Sequence, residues 1–221
     1  KLGKAWINKR KPAKEIIIED PWQIQTEDYQ QLESNQPCKI IWFGHSSNAK
    51  YLLREIPHLL QDCDTHSNYE LTILSDTGTL EKARRAFKAN PQNKPWSLRC
   101  INWQTEKQPT QLAHELKRAH LSIIPSDIKD PRKLAASHNR AVDAIQAGCM
   151  VIASPLPSYQ ELKKLLLITE DFAGAINKGI EQYARLTKKW GLDRNNYLYR
   201  FSPSSNISNW KKLINTQIHP E

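Results

Sequence analysis

The amino-acid sequence predicts an α/β fold, a Rossmann-like doubly wound parallel sheet, and two observations carry that prediction. Short, almost wholly apolar runs recur along the chain, as expected of strands covered on both faces. Between them lie segments with helical spacing of apolar residues, so that consecutive parallel strands are joined by right-handed crossovers. No internal repeat competes with this reading.

The elements follow in order. Residues 1–36 form a basic arm and an approach segment, in which Ile16-Ile17-Ile18 predicts a short strand stopped at Pro21. Residues 37–221 form one domain. Cys38–Phe43 is the first strand, ending at Gly44, and Ala49–Gln61 places Leu52, Ile56, Leu59 and Leu60 on one helical face. Leu71–Leu74 is the next strand, followed by a turn at Asp76-Thr77-Gly78 and a helix over Leu80–Ala89. Leu98–Trp103 is a third strand, Gln111–His120 a helix, and Leu121–Ile124 a fourth strand closed by Pro125. A helix from Asn139 to Ala147 ends at Gly148, the expected left-handed C-cap, and runs into the strand Met150–Ala153. A short helix at Tyr159–Leu165, a strand at Leu166–Ile168 and a long helix from Asp171 to about Trp190 complete the sheet region. The long helix stripes Ile176, Ile180, Tyr183 and Trp190, and a final helix begins near Ser204 with Trp210 and Leu213.

Composition sets outer bounds. With 221 residues, 39% of them hydrophobic, and seven Trp, the chain can bury a continuous core. No apolar run reaches the roughly 18 residues needed to span a bilayer, and the N-terminal stretch lacks the apolar core of a signal peptide. Cys38, Cys63, Cys100 and Cys149 are far apart, without metal spacing; three of them sit in or beside apolar runs, as buried thiols in a reducing, cytoplasmic setting do. His45, His58, His66, His114, His120, His138 and His219 show no metal spacing either. The net charge of +9 is unevenly placed, since Lys1, Lys4, Lys9, Arg10, Lys11 and Lys14 carry six of those charges before any acid appears. Such an arm is a solvated segment or a contact for an acidic membrane surface, which would place the protein at the inner face of a membrane; a nucleic-acid-binding domain is not indicated.

Ligands of an open parallel sheet bind at the carboxyl ends of its strands, near the switch in strand order. That rule selects Gly44–Asn48, Ser75–Gly78, Trp103–Thr105, Pro125–Asp127 and Ser137–Arg140. Neither GxGxxG nor GxxxxGK[ST] is present, so neither a dinucleotide fingerprint nor a P-loop is supported. The stretch Ser137-His138-Asn139-Arg140-Ala141-Val142-Asp143 is the best marked. Ser137 or Asn139 can cap the helix, whose free amides form a natural phosphate site. Arg140 in the first turn is unfavourable at the positive end of the dipole unless an anion compensates it. Asp143, one turn beyond Asn139, can face the same crevice and accept from vicinal ribose hydroxyls. An ordinary capped helix with a surface Arg and Asp remains the alternative.

The run from Ser137 through Val151-Ile152-Ala153-Ser154 to Tyr159-Gln160-Glu161 resembles the donor-site signature of GT-B glycosyltransferases of the broad family 4 (family 1-like) group. Cys38–Gly44 and Leu121–Pro125 are similar to two strands of that group's C-terminal domain, and Ile16–Pro21 to its interdomain segment. The resemblance implies one half of a GT-B fold that binds a nucleotide-sugar, UDP- or GDP-linked, without an obligatory metal or cofactor. It implies an acceptor-binding N-terminal domain as partner, in cis or in trans. It maps the ribose-binding acid onto Asp143, where Glu is usual, and finds Ala135 where the group commonly has a second acid. Arg140, with the amides of Ser137–Asn139, is then the group that stabilises the departing diphosphate. Gly44-His45-Ser46-Ser47-Asn48 resembles a glycine loop that approaches the donor phosphates, or is a strand-to-helix turn capped by Asn48. Lys50 and Arg54 lie one turn apart and either neutralise diphosphate or remain solvated. Trp103 stacks on a base or packs in the core, and Pro125, Ser126 and Asp127 line the crevice. A GT-B half that serves as a non-catalytic scaffold is the rival reading.

Overall fold

The computed structural model describes residues 18–107 and 109–218. Lys1–Lys14, Ile16, Ile17 and His219 lie outside the described residues. Six strands form one all-parallel sheet in the order β3-β2-β1-β4-β5-β6: β1 Cys38–Phe43, β2 Tyr69–Ser75, β3 Trp96–Asn102, β4 Leu121–Ile124, β5 Met150–Ala153 and β6 Leu166–Ile168. The order reverses between β1 and β4, where Ile40 pairs with Leu121 and Ile41 with Ser122. This is the doubly wound arrangement expected from the apolar runs, and it puts the switch point, where ligands of such sheets bind, at the carboxyl ends of β1 and β4.

Helices flank the sheet: α1 Ser46–Asp62, α2 Thr77–Ala89, α3 Thr110–Lys117, α4 Asn139–Gln146, α5 Pro157–Gln160, α6 Phe172–Glu181, α7 Tyr183–Leu198 and α8 Pro203–Ile218. Burial explains the strands. Ile40, Ile41 and Trp42 of β1, and every residue of β4 and β5, are buried, which only a central strand covered on both faces achieves. On α1, Leu52, Ile56, Leu59 and Leu60 are fully buried, as their spacing predicts. Gly148 has φ +78 and follows α4; a Cβ there would also run into the carbonyl of Asp28. Its lack of a side chain therefore serves both the turn and the close passage of the approach segment.

Four local expectations are corrected. The helix expected from Asp171 to Trp190 is two helices, broken at Gln182 (φ −106, ψ 9). The break lets Ile176 cover the sheet while Tyr183 and Trp190 stay buried, with Tyr183 Oη 3.4 Å from the His120 carbonyl. Neither Ser137 nor Asn139 caps α4; His138 occupies the cap position and makes no side-chain cap bond. Asn48 does not cap α1, because the His45 ring accepts from Ser47 N at 3.2 Å and fills that role. The short helix expected over Tyr159–Leu165 is only α5, with turns after Gln160.

Residues 18–36 have no strand or helix, yet they are sewn to the core. Ile24 is 2% exposed. Trp22 N donates to Phe201 O (3.0 Å) and Glu27 N to Gln146 O (2.8 Å). Thr26 Oγ1 donates to Gln146 Oε1 (3.0 Å) and Arg194 Nη1 to Glu27 O (2.7 Å). The approach segment thus lies along α4, the helix that carries Arg140 and Asp143. Cys38, Cys63 and Cys149 are buried free thiols and Cys100 is half-buried; burial raises all four pKa values, that of Cys63 to about 12. On α8, Ile207, Trp210 and Ile214 share one exposed stripe. Among the described residues no helix is long and apolar enough to cross a membrane.

Candidate functional site

The crevice is built from three strand ends and one long loop. β1 delivers Gly44, whose N–H continues the ladder to Leu74 O (3.2 Å) and whose carbonyl accepts from Ser75 Oγ (2.7 Å). A Cβ at Gly44 would touch the Trp42 ring and lie 3.5 Å from Arg140 Nη1. Arg140, on α4 after β4, therefore reaches across the switch point to the loop after β1. Its Nη1 is buried and has no hydrogen-bond partner among the described residues. A guanidinium N–H left without an acceptor is costly, and an anion in the crevice would satisfy it.

Beside Gly44 a cleft of about 400 Å³ is lined by Gly44, His45, Asp76 and Trp103, from the ends of β1, β2 and β3. Trp103 is half-buried and held by its N–H to Ser75 O (2.8 Å). Asp76 caps α2 through Thr79 N (3.0 Å) and Thr79 Oγ1 (2.8 Å). Burial pushes its carboxyl upward, but bonds from Thr79 and Ser75 outweigh that and hold it below the ordinary value.

Lysines extend the positive surface. Lys133, in the loop between β4 and α4, donates to Asn48 Oδ1 at 2.6 Å. Its ammonium is lowered from its ordinary value by burial first and by Arg140 next, with Lys50 and Arg132 adding and Asp130 opposing. Asp130 is the counter-charge: Tyr51 Oη donates to it (3.0 Å), Arg132 holds it by two bonds (3.0 and 2.9 Å), and Lys50 lies 3.9 Å away. The Arg132 bonds keep its carboxyl well below the carboxylate range. Lys50, Arg132, Lys133 and Arg140 thus gather near the carboxyl ends of β1 and β4, where Asp130 engages Lys50 and Arg132 directly and Asp76 lines the adjoining cleft.

The remaining expected residues divide. Gly44, His45 and Trp103 meet in one cleft, Arg140 adjoins it, and Lys50 joins the basic group. Ser46 and Ser137 are exposed. His138 turns toward the approach segment and α5, with Nδ1 3.9 Å from Glu19 and Nε2 3.4 Å from Glu161. Asn139 Nδ2 donates to Asp20 Oδ2 (2.9 Å). Pro125 and Ser126 are buried, and Ser126 N donates to Ser154 Oγ (2.8 Å), fixing the loop's start. Asp143 is partly buried, and its Oδ1 accepts from Gln23 N at 3.0 Å. Burial pushes its carboxyl up to about 6, against the pull of that one hydrogen bond. Arg54 pairs with Glu55, Nε to Oε1 3.1 Å, and its Nη2 donates to the Ser126 carbonyl after β4 (3.3 Å). Among the described residues no cluster of His, Cys, Asp and Glu could hold a metal ion.

Sequence reasoning missed Lys133 and Asp130. The signal for both was the long segment between β4 and α4, placed by topology at the switch point and carrying Asp130-Pro131-Arg132-Lys133. Asp76 lies in the segment Ser75–Gly78 that the strand-end rule selects, and it serves as the cap of α2.

No protein-family model and no curated protein sequence matches the chain. Among solved structures it is similar to TarM, a GT-B-type glycosyltransferase, with a TM-score of 0.52 and 15% sequence identity. The match covers 90% of this chain and 37% of TarM, so the chain spans little more than a third of that protein. The likeness shows the fold alone, a Rossmann-like α/β unit.

Proposed function

We propose that this chain is the donor-binding half of a glycosyltransferase of the family 4 (family 1-like) group, holding a UDP- or GDP-linked sugar in the crevice between β1 and β4. The observation that carries the reading is the unpartnered Nη1 of Arg140 beside Gly44, with Lys133 close enough to feel its charge. The diphosphate takes the place of the missing acceptor at Arg140, with Lys133 and Lys50 as further cations. The first-turn amides of α4, which no side chain caps, add donors. The base enters the cleft against Trp103. The ribose hydroxyls donate to Asp143 Oδ2, since Gln23 engages Oδ1.

Sugar transfer needs negative charge to be stabilised on the leaving nucleoside diphosphate. Fixed cations and amides supply that without a metal. Arg140 touches the leaving group in this scheme and is its catalytic residue. The acceptor sits on a second domain, in cis or in trans. Supporting such a partner, Glu19 O accepts from Asn206 Nδ2 at the root of α8, so the approach segment and the exposed stripe of α8 lie together. The setting proposed is cytoplasmic, with Lys1–Lys14 against an acidic inner membrane face; sedimentation with anionic against neutral vesicles tests that part. The scaffold reading is favoured by Ala135, which replaces an acid, and by the engagement of Asp143 with Gln23. Calorimetric titration of wild type and Arg140→Ala with UDP, GDP and the bare nucleosides separates the two. Donor binding predicts that Arg140→Ala weakens the diphosphates far more than the nucleosides; a scaffold shows no nucleotide binding.

A further inference from the structure

At the opposite end of the sheet a cavity of about 860 Å³ lies between the approach segment, Asp28–Ser34, and helices α6 and α7. Two polar side chains in its wall are unfinished. Arg194 is 5% exposed, and its Nη1 donates to Glu27 O (2.7 Å) and Ile145 O (3.2 Å). Those bonds pin the guanidinium at the carbonyl end of α4, where the helix dipole favours a cation. Its Cζ lies 5.5 Å from the centroid of the Tyr29 ring. Arg194 Nε and Tyr29 Oη are both buried without an acceptor among the described residues. Among the described residues the guanidinium is met by those two carbonyls and the Tyr29 ring face, and by no carboxylate within ion-pair distance.

We propose that this cavity is a second ligand site and takes a small monocarboxylate with an apolar body. Arg194 Nε can only donate and Tyr29 Oη can donate beside it, so a ligand that satisfies both presents acceptors. A guanidinium held at Nη1 still offers its Nε edge, which matches a carboxylate in two parallel bonds. Asp28, Glu33 and Glu181 share the wall with Lys188 and Arg194, a balance that disfavours a doubly charged phosphate more than a single carboxylate set directly on the guanidinium. Leu32, Ile180, Ala184 and Leu192 supply the apolar lining, and the volume suits a small molecule. The site stands apart from the donor crevice and does not depend on the donor reading.

The test uses calorimetry and thermal melting of the whole chain with hexanoate, benzoate, hexanol, benzyl alcohol and inorganic phosphate. Hexanoate or benzoate should bind and raise the melting temperature, with the matching alcohol at least tenfold weaker and phosphate without effect. Tyr29→Phe removes one donor and keeps the ring, so it should weaken carboxylate binding roughly tenfold while any UDP or GDP binding is unchanged. The proposal is overturned if neither carboxylate binds wild type at about 10 mM, if phosphate or the alcohols bind equally well, or if Tyr29→Phe leaves carboxylate affinity unchanged. An ordered water alone between Tyr29 Oη and Arg194 Nε, in a crystal soaked with hexanoate, overturns it as well.

Discussion

Replacing Asp143 by Asn should stabilise the protein above pH 6 and leave it nearly unchanged below pH 4. The side chain is partly buried, accepts only the Gln23 N–H among the described residues, and has its carboxyl raised from 3.8 to about 6 by burial. The folded state therefore prefers the protonated form, while the unfolded chain ionises near the ordinary value. Below pH 4 both states carry the proton and no penalty exists. Between pH 4 and 6 the folded state binds more protons, so stability falls as pH rises. Above pH 6 the charge is present in both states and the full penalty remains. At about 1.4 kcal/mol per unit of pKa, that penalty approaches about 3 kcal/mol. Asn keeps an oxygen for Gln23 N and never ionises. The expected gain at pH 7.5 is several degrees in melting temperature, given ~2–4 °C per kcal/mol for a domain of this size. Melting of both proteins from pH 3.5 to 8 provides the assay. If the difference between them is the same at pH 4 and pH 7.5, Asp143 is not a strained buried acid. A carboxylate that destabilises the fold is what a ligand-binding acid looks like, so the same variant should also weaken UDP or GDP binding roughly tenfold or more if ribose donates to it.

Three further outcomes are expected. His120 is 3% exposed, takes Lys39 N on Nδ1 (2.9 Å) and turns Nε2 to Gln31 O (3.1 Å), and burial lowers its pKa from 6.5 to about 4. Its folded state thus prefers the neutral ring, and stability should fall by about 3 kcal/mol as pH drops from 6.5 through 4; in denaturant titrations, His120→Gln should flatten that slope, and an unaltered slope would contradict the assignment. Gly148→Ala should cost at least about 2 kcal/mol in the same titrations, because the new Cβ meets the Asp28 carbonyl at φ +78; a neutral result would mean the approach segment is not seated there. Lys133→Ala should weaken UDP and GDP in calorimetry and leave uridine and guanosine unchanged, whereas equal losses would remove Lys133 from the phosphate end of the site.

The sheet was legible because its signal is collective. β1, β4 and β5 are apolar runs with no competing helical period, and Gly148 marks the end of α4 by a backbone requirement that few residues meet. What escaped was decided by tertiary contact. His45 became the cap of α1 because its ring folds back to Ser47 N, which no propensity encodes. The break at Gln182 separates two amphipathic helices whose periods join without a sequence mark. At the candidate site, Gly44, Trp103 and Arg140 could be singled out in advance because strand ends converge there and because Arg140 sits in the first turn of a helix, where an anion is needed to offset it. Lys133 was hidden in a loop whose path depends on Asn48 and Asp130. Asp143 sits on the expected helix, but its surroundings come from Gln23, 120 positions away in the chain.

The central claim, that the crevice between β1 and β4 holds a nucleoside diphosphate, is tested most directly by isothermal titration of the wild-type chain with UDP and GDP at neutral pH. The account predicts saturable binding of at least one of them, tighter than that of its nucleoside, and strongly reduced by Arg140→Ala. No heat of binding for either nucleotide at millimolar concentration would contradict it and favour the scaffold reading.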